Sequence, residues 1–168
     1  MYRKVEIKVP ATTANLGPGF DCLGMALDLW NTIELELDSE GIQITGEGKD
    51  TLSKDENNLI FQSAISLFDA ALVPVPRFSL TCHNDIPLAR GLGSSAAAVI
   101  GGISAANEIC GRPFNNQQIA RLAANIEGHP DNVVPALDGG LRIVIRQEEN
   151  ILSSPVSIPP NIRAVALI

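Results

Sequence analysis

Residues 87–98 of the chain read PLARGLGSSAAA. A turn built on Gly91 and Gly93 runs into Ser94, Ser95 and a run of alanines. Alanine is the strongest helix former, and Ser94 or Ser95 is a natural N-cap, so the spacing predicts a helix with glycines at its mouth. Glycine lets backbone approach a ligand because no Cβ intervenes. The first turn of a helix offers free N–H groups at the positive end of its dipole, a ready site for an anion. A hydroxyl beside that site is a hard oxygen donor of the kind magnesium takes. The chemistry implied is the binding of nucleotide phosphates. Two other phosphate loops do not fit. Gly93 is followed by serines with no lysine, and the third glycine of a dinucleotide fingerprint would fall at Ala96. A lone GLG reads as a tight strand-to-helix turn packed with small residues; the length of the whole string favours phosphate.

Two more strings carry chemistry. PATTANLGPGFDCLGMAL spans residues 10–27 and holds Asn15 and Asp21. EGHPDNVVPALDGG spans residues 127–140 and opens with Glu127, His129, Asp131 and Asn132. Carboxylates, a carboxamide and an imidazole so close together suit an amino-acid substrate, whose ammonium wants a carboxylate and whose carboxylate wants donors. Singly, each has a plainer reading: Asx-turns at Asn15 and Asp21, a capped turn at Pro130–Asn132, a solvated helix-end charge at Glu127.

Together the strings resemble the GHMP small-molecule kinases. PLARGLGSSAAA is similar to their ATP loop, and the other two strings are similar to the first and middle signatures of the homoserine kinases in that family. The resemblance covers the whole chain, and the chain corresponds to about the first half of the family. It implies an α+β fold, the GHMP kinase N-terminal domain, ribosomal protein S5 domain 2-like with a left-handed βαβ unit. Residues 1–168 would form one ATP-binding domain with the C-terminal half absent. The implied reaction moves the γ-phosphate of ATP to the hydroxyl of L-homoserine, giving O-phospho-L-homoserine in threonine biosynthesis. The implied nucleotide cradle is Pro87, Leu88, Ala89, Arg90, Gly91, Leu92, Gly93, Ser94, Ser95, Ala96 and Ala97. Magnesium (Mg2+) would sit on Ser95 and Glu127. Homoserine would lie against Asn15, Asp21, His129, Asp131 and Asn132, with Asp131 and Asn132 catalytic. Asp131 is the carboxylate available to take the hydroxyl proton, although a largely dissociative transfer needs no strong base. Ala11, Thr12 and Thr13 stand where mevalonate kinases carry a lysine, which favours homoserine as acceptor. The alternatives are another GHMP kinase, or an inactive fragment that at most binds nucleotide.

The rest of the chain must position these groups. Its 168 residues suffice for one domain, and chains of this size bury roughly 70% of their unfolded surface. Aromatic residues are only 4% of the chain, so aliphatic side chains must fill the core. A net charge of −7 argues against a nucleic-acid partner. Cys22, Cys82 and Cys110 are scattered and odd in number; with no secretory signal they read as reduced, buried thiols of a cytoplasmic protein. No apolar run reaches membrane length, so no membrane partner is expected. A homodimer is compatible with the sequence.

Alternation predicts a strand over 2–9 ended by Pro10, then a functional loop over 11–24. Strands over 29–37 and 41–46 read as antiparallel strands in a meander or hairpin, and another strand follows Pro76. Helical spacing covers 57–72, capped by Asn57 or Asn58, and 116–126. A buried helix over 94–109 contains Gly101 and Gly102. Leu141, Ile143 and Ile145 alternate with Arg142, Val144 and Arg146 as a strand. Residues 153–160 read as a linker, and RAVALI (163–168) as the start of a buried strand at which the chain is cut. His83 reads as a surface or strand-end residue.

Overall fold

Two long strands organise the fold in the computed structural model, which describes residues 2–148 and 150–165. β1 (Lys4–Leu16) and β2 (Gly19–Leu37) pair antiparallel along their whole length. On its other edge β2 serves two neighbours. Asn31–Leu37 pairs with β4 (Phe78–Asn84), and Leu23–Met25 pairs with β5 (Leu141–Gln147). β3 (Gly41–Gly46) flanks β4, and β6 (Asn150–Val156) flanks β5, completing a six-stranded sheet. The helices are α1 (Leu59–Ala70), α2 (Ser94–Ile109), α3 (Asn116–Glu127) and α4 (Val133–Asp138). This is the expected α+β fold. Among the described residues no helix is long and apolar enough to cross a membrane.

The core is aliphatic, as composition required. Ile33, Leu35 and Leu80 from the sheet meet Val99, Ile100 and Ile103 from α2, with Phe68 as the largest buried side chain. Asn58 caps α1 by accepting from the N–H groups of Ile60 and Phe61, and Asn115 with Gln118 forms a capping box on α3. The glycine pair in α2 is buried as its sequence suggested. A Cβ on Gly102 would overlap the Ile60 carbonyl oxygen of α1, and one on Gly101 would overlap the Ile33 Cδ1 methyl.

Several expectations are corrected. Pro10 does not end β1: it sits at a register shift on a strand that, among the described residues, pairs with β2 alone, and edge strands and bulges are where proline is tolerated in a sheet. The expected loop over 11–24 is mostly strand, closed by a tight turn at Gly17–Pro18. Its Asn15 and Asp21 hold positive φ (59° and 56°), so those residue types mark left-handed kinks inside a hairpin. β3 pairs parallel with β4, not antiparallel with β2. In β5 it is Val144 that is buried, while Ile143 and Ile145 are exposed. Arg142 and Arg146 account for this, because their guanidinium groups reach the C-terminal ends of two helices. Arg142 donates to the Gly139 and Asp138 carbonyls at 2.8 Å, and Arg146 to Asn125 Oδ1 at 2.8 Å.

Residues 153–156, expected as linker, belong to β6. Arg163–Val165 form no strand and are exposed; the remainder of RAVALI, residues 166–168, lies outside the described residues. Only Cys82 of the three cysteines is buried, with its thiol pushed up to about 12 by desolvation; Cys22 and Cys110 are half-buried. His83 lies exposed on β4, as read from the sequence.

Candidate functional site

The glycine turn meets α2 without a serine cap. Gly93 is the N-cap residue, with φ 64°, and no side chain accepts from the first turn. The left-handed conformation excludes a serine hydroxyl from that position and leaves the first-turn N–H groups open. Freed from capping, Ser95 Oγ donates to Glu127 Oε1 at 2.5 Å. Glu127 is the last residue of α3, so the two oxygen donors arrive from different helix ends.

A cavity of about 240 Å³ opens over this pair. It is lined by Pro87, Ala89, Arg90, Gly91, Leu92, Gly93, Ser94, Ser95, Ala96, Glu127 and Asn132. Of the residues expected in the cradle, all but Leu88 and Ala97 line this cavity. Leu88 lies in a neighbouring cavity of about 270 Å³. Ala97 points into the core and lines neither. The neighbouring cavity shares Ala89, Ser94 and Ser95 with the first and adds Asn31, Asn58 and Asn84. Asn84 Oδ1 there is a buried acceptor without a partner among the described residues.

The EGHPDN segment turns at the C-cap Gly128 (φ 90°) and leads into α4. Asp131 is buried and both its oxygens are engaged. Oδ1 accepts from His129 Nδ1 and the Asn132 N–H, each at 2.8 Å, and Oδ2 accepts from Asn15 Nδ2 at 3.4 Å. Asn15 Oδ1 accepts from the Asp21 N–H at 2.8 Å. The hairpin tip and the EGHPDN turn are thus joined through Asn15. The Asp21 side chain and the His129 ring are exposed beside this junction.

One residue of this junction escaped the sequence reading as a contributor. Thr12 is fully buried, its N–H donates to the Leu92 carbonyl at 3.0 Å, and its hydroxyl donates to Asn132 Oδ1 at 2.8 Å. A Cβ on Gly93 would overlap Thr12 Oγ1. Thr12 therefore touches both the glycine turn and the EGHPDN turn. A threonine in a β-strand is ordinary, and only the chain topology distinguishes this one.

Comparison with known proteins bears on the family and the fold. Residues 58–140 match the GHMP kinases N terminal domain. That segment, 58–140, carries the signature of the domain and sets the class of the fold. Within the class it is similar to the homoserine kinase of Desulfitobacterium hafniense, 46% identical over 165 residues, covering 98% of this chain and 56% of that protein. The crystal structure of homoserine kinase from Cytophaga hutchinsonii superposes with a TM-score of 0.81 at 29% identity, covering 96% of this chain and 54% of the other. Methanococcus jannaschii mevalonate kinase shares the fold, with a TM-score of 0.69 at 20% identity over 91% of this chain and 56% of the other. The chain spans about half the length of the curated relatives it matches.

Proposed function

We propose that residues 1–168 form the ATP-binding part of a homoserine kinase, which phosphorylates the side-chain hydroxyl of L-homoserine. The observation that carries this is the convergence of Ser95 Oγ and Glu127 Oε1, 2.5 Å apart, on a cavity floored by the glycine turn. One hydroxyl and one carboxylate are hard oxygen donors, and magnesium is commonly held by one or two carboxylates together with phosphate oxygens and water. The residues present fit such an ion. Magnesium, when bound, offsets the charge on the phosphoryl group in transfer. Backbone N–H groups at the start of α2 hold phosphate oxygens with the helix dipole behind them. The neighbouring cavity takes the nucleoside, where the unpaired Asn84 Oδ1 suits an amine on the base.

The acceptor half of the site is the junction of hairpin and EGHPDN turn. Asp21 is exposed there and pairs with the homoserine ammonium, while His129 and Asn15 fix its orientation. Asp131 acts as organiser of these groups. It is buried, with its oxygens committed to His129, Asn132 and Asn15, an arrangement poor for receiving the acceptor proton. Asn132 reaches the phosphate cavity from the same turn and positions the group in transfer.

The acceptor is tested by nuclear magnetic resonance titration of the magnesium-nucleotide complex with L-homoserine and with mevalonate. L-homoserine is expected to shift the amides of Asn15, Asp21, His129 and Asp131, and mevalonate to leave them in place. Equal shifts with both, or larger shifts with mevalonate, would move the reading to another GHMP kinase.

A further inference from the structure

We infer that Thr12 is a positioning residue that fixes which end of the Asn132 carboxamide faces the phosphate cavity. The inference rests on the phosphate-site reading above and adds a residue to it. A carboxamide has an acceptor end and a donor end, and rotating it by half a turn exchanges them. Only the donor end can serve an anion.

Two neighbours decide the orientation of Asn132. Thr12 is fully buried, and a buried hydroxyl needs an acceptor for its proton. Among the described residues Asn132 Oδ1 is that acceptor, at 2.8 Å. On the other side stands the Asp131 carboxylate, with Oδ1 at 3.5 Å from Asn132 Nδ2. A carboxylate at this site accepts and does not donate, so the flipped amide would set oxygen against oxygen. Asn132 therefore keeps Oδ1 on Thr12 and leaves Nδ2 with a hydrogen to offer in the cavity it lines with Gly91, Gly93 and Ser95.

Thr12 is itself held. Its N–H is bonded to Leu92 in the glycine turn, and its hydroxyl occupies the space that a side chain on Gly93 would need. The absence of a Cβ at Gly93 thus has two consequences: the turn adopts positive φ, and Thr12 Oγ1 passes beneath it to reach Asn132. The phosphate cradle and the catalytic-side carboxamide are set in register by one threonine.

The test uses the full chain with magnesium and a non-hydrolysable ATP analogue, comparing wild type, Thr12→Val and Thr12→Ser by calorimetry. Side-chain amide resonances are followed in parallel. Thr12→Val keeps the shape and removes the hydroxyl; Thr12→Ser keeps the hydroxyl. The expected result is wild-type affinity for Thr12→Ser and about tenfold weaker binding for Thr12→Val, the loss of one hydrogen bond to a charged group. In wild type the Asn132 Nδ2 protons should shift on saturation together with the Gly91–Ser95 amides. Equal affinity for all three proteins would overturn the inference. So would Asn132 Nδ2 resonances that stay still while the glycine-turn amides move, a readout that holds even if Thr12→Val fails to fold. Glycine-turn amides that never move in folded wild type would instead sink the phosphate-site reading, and the inference with it.

Discussion

Gly91 and Gly93 both hold positive φ, 70° and 64°, yet they do different work. A Cβ at Gly91 meets open space, so Gly91→Ala should cost only the left-handed conformation, about 1 kcal/mol. A Cβ at Gly93 meets the buried Thr12 hydroxyl, so Gly93→Ala adds displacement of a hydrogen-bonded group. It should cost about 3 kcal/mol, with the difference read from denaturant unfolding midpoints. Equal costs would mean that Thr12 is not seated under the turn. At this scale much of the site was legible. The types and spacing of Ser95, Glu127, His129, Asp131 and Asn132 point to anion and amino-acid chemistry, and the structure brings Ser95 and Glu127 into contact. Thr12 was not legible as their link, because its partners are Leu92 and Asn132, remote in sequence. The serine cap expected for α2 fails for a local reason: the chain needs a left-handed residue there, and glycine supplies it.

Among the elements, α2 carries the glycine turn at its start and packs against α1 and the sheet along its length. Helix propensity alone says that Gly102→Ala should stabilise by about 1 kcal/mol. Packing reverses the sign. The new methyl would strike the Ile60 backbone carbonyl, which cannot move without α1, so a net loss of about 2 kcal/mol is expected. Gly101→Ala strikes the tip of Ile33 and should cost less. Thermal unfolding of both variants checks the order. A stabilised Gly102→Ala would show that α1 and α2 are not in close backbone contact. The helices were readable because apolar periodicity and caps are local signals, and α2 and α3 fall close to where the spacing puts them. Strand partners were less so. Nothing near Gly41–Gly46 announces a parallel partner thirty-odd residues on, and the arginines of β5 choose its buried face by reaching helix ends that exist only in the fold.

For the whole molecule, the sheet and α1–α3 enclose one main core, and Cys82 lies inside it. Burial raises its thiol from the ordinary 9.0 to about 12. Between those values the unfolded chain has released the proton and the folded chain has not. The unfolded state then binds fewer protons, so stability falls as pH rises through this window. Below it the group contributes no pH dependence. Urea midpoints at about pH 8 and about pH 10.5 should show a decline that Cys82→Ala reduces; an identical slope in the variant would place the thiol in contact with water. The same enclosure predicts that Cys82 resists alkylation in the native state, while Cys22 and Cys110 react.

The central claim is that Ser95 and Glu127, at the mouth of α2, hold a magnesium nucleotide. The most direct measurement is calorimetric titration of this chain with a non-hydrolysable ATP analogue, with and without magnesium, beside Ser95→Ala and Glu127→Gln. The account predicts saturable, magnesium-dependent binding that each substitution weakens by about tenfold or more, the loss of one interaction with a charged group. Binding that is indifferent to magnesium and to both substitutions, in proteins shown to be folded, would contradict it.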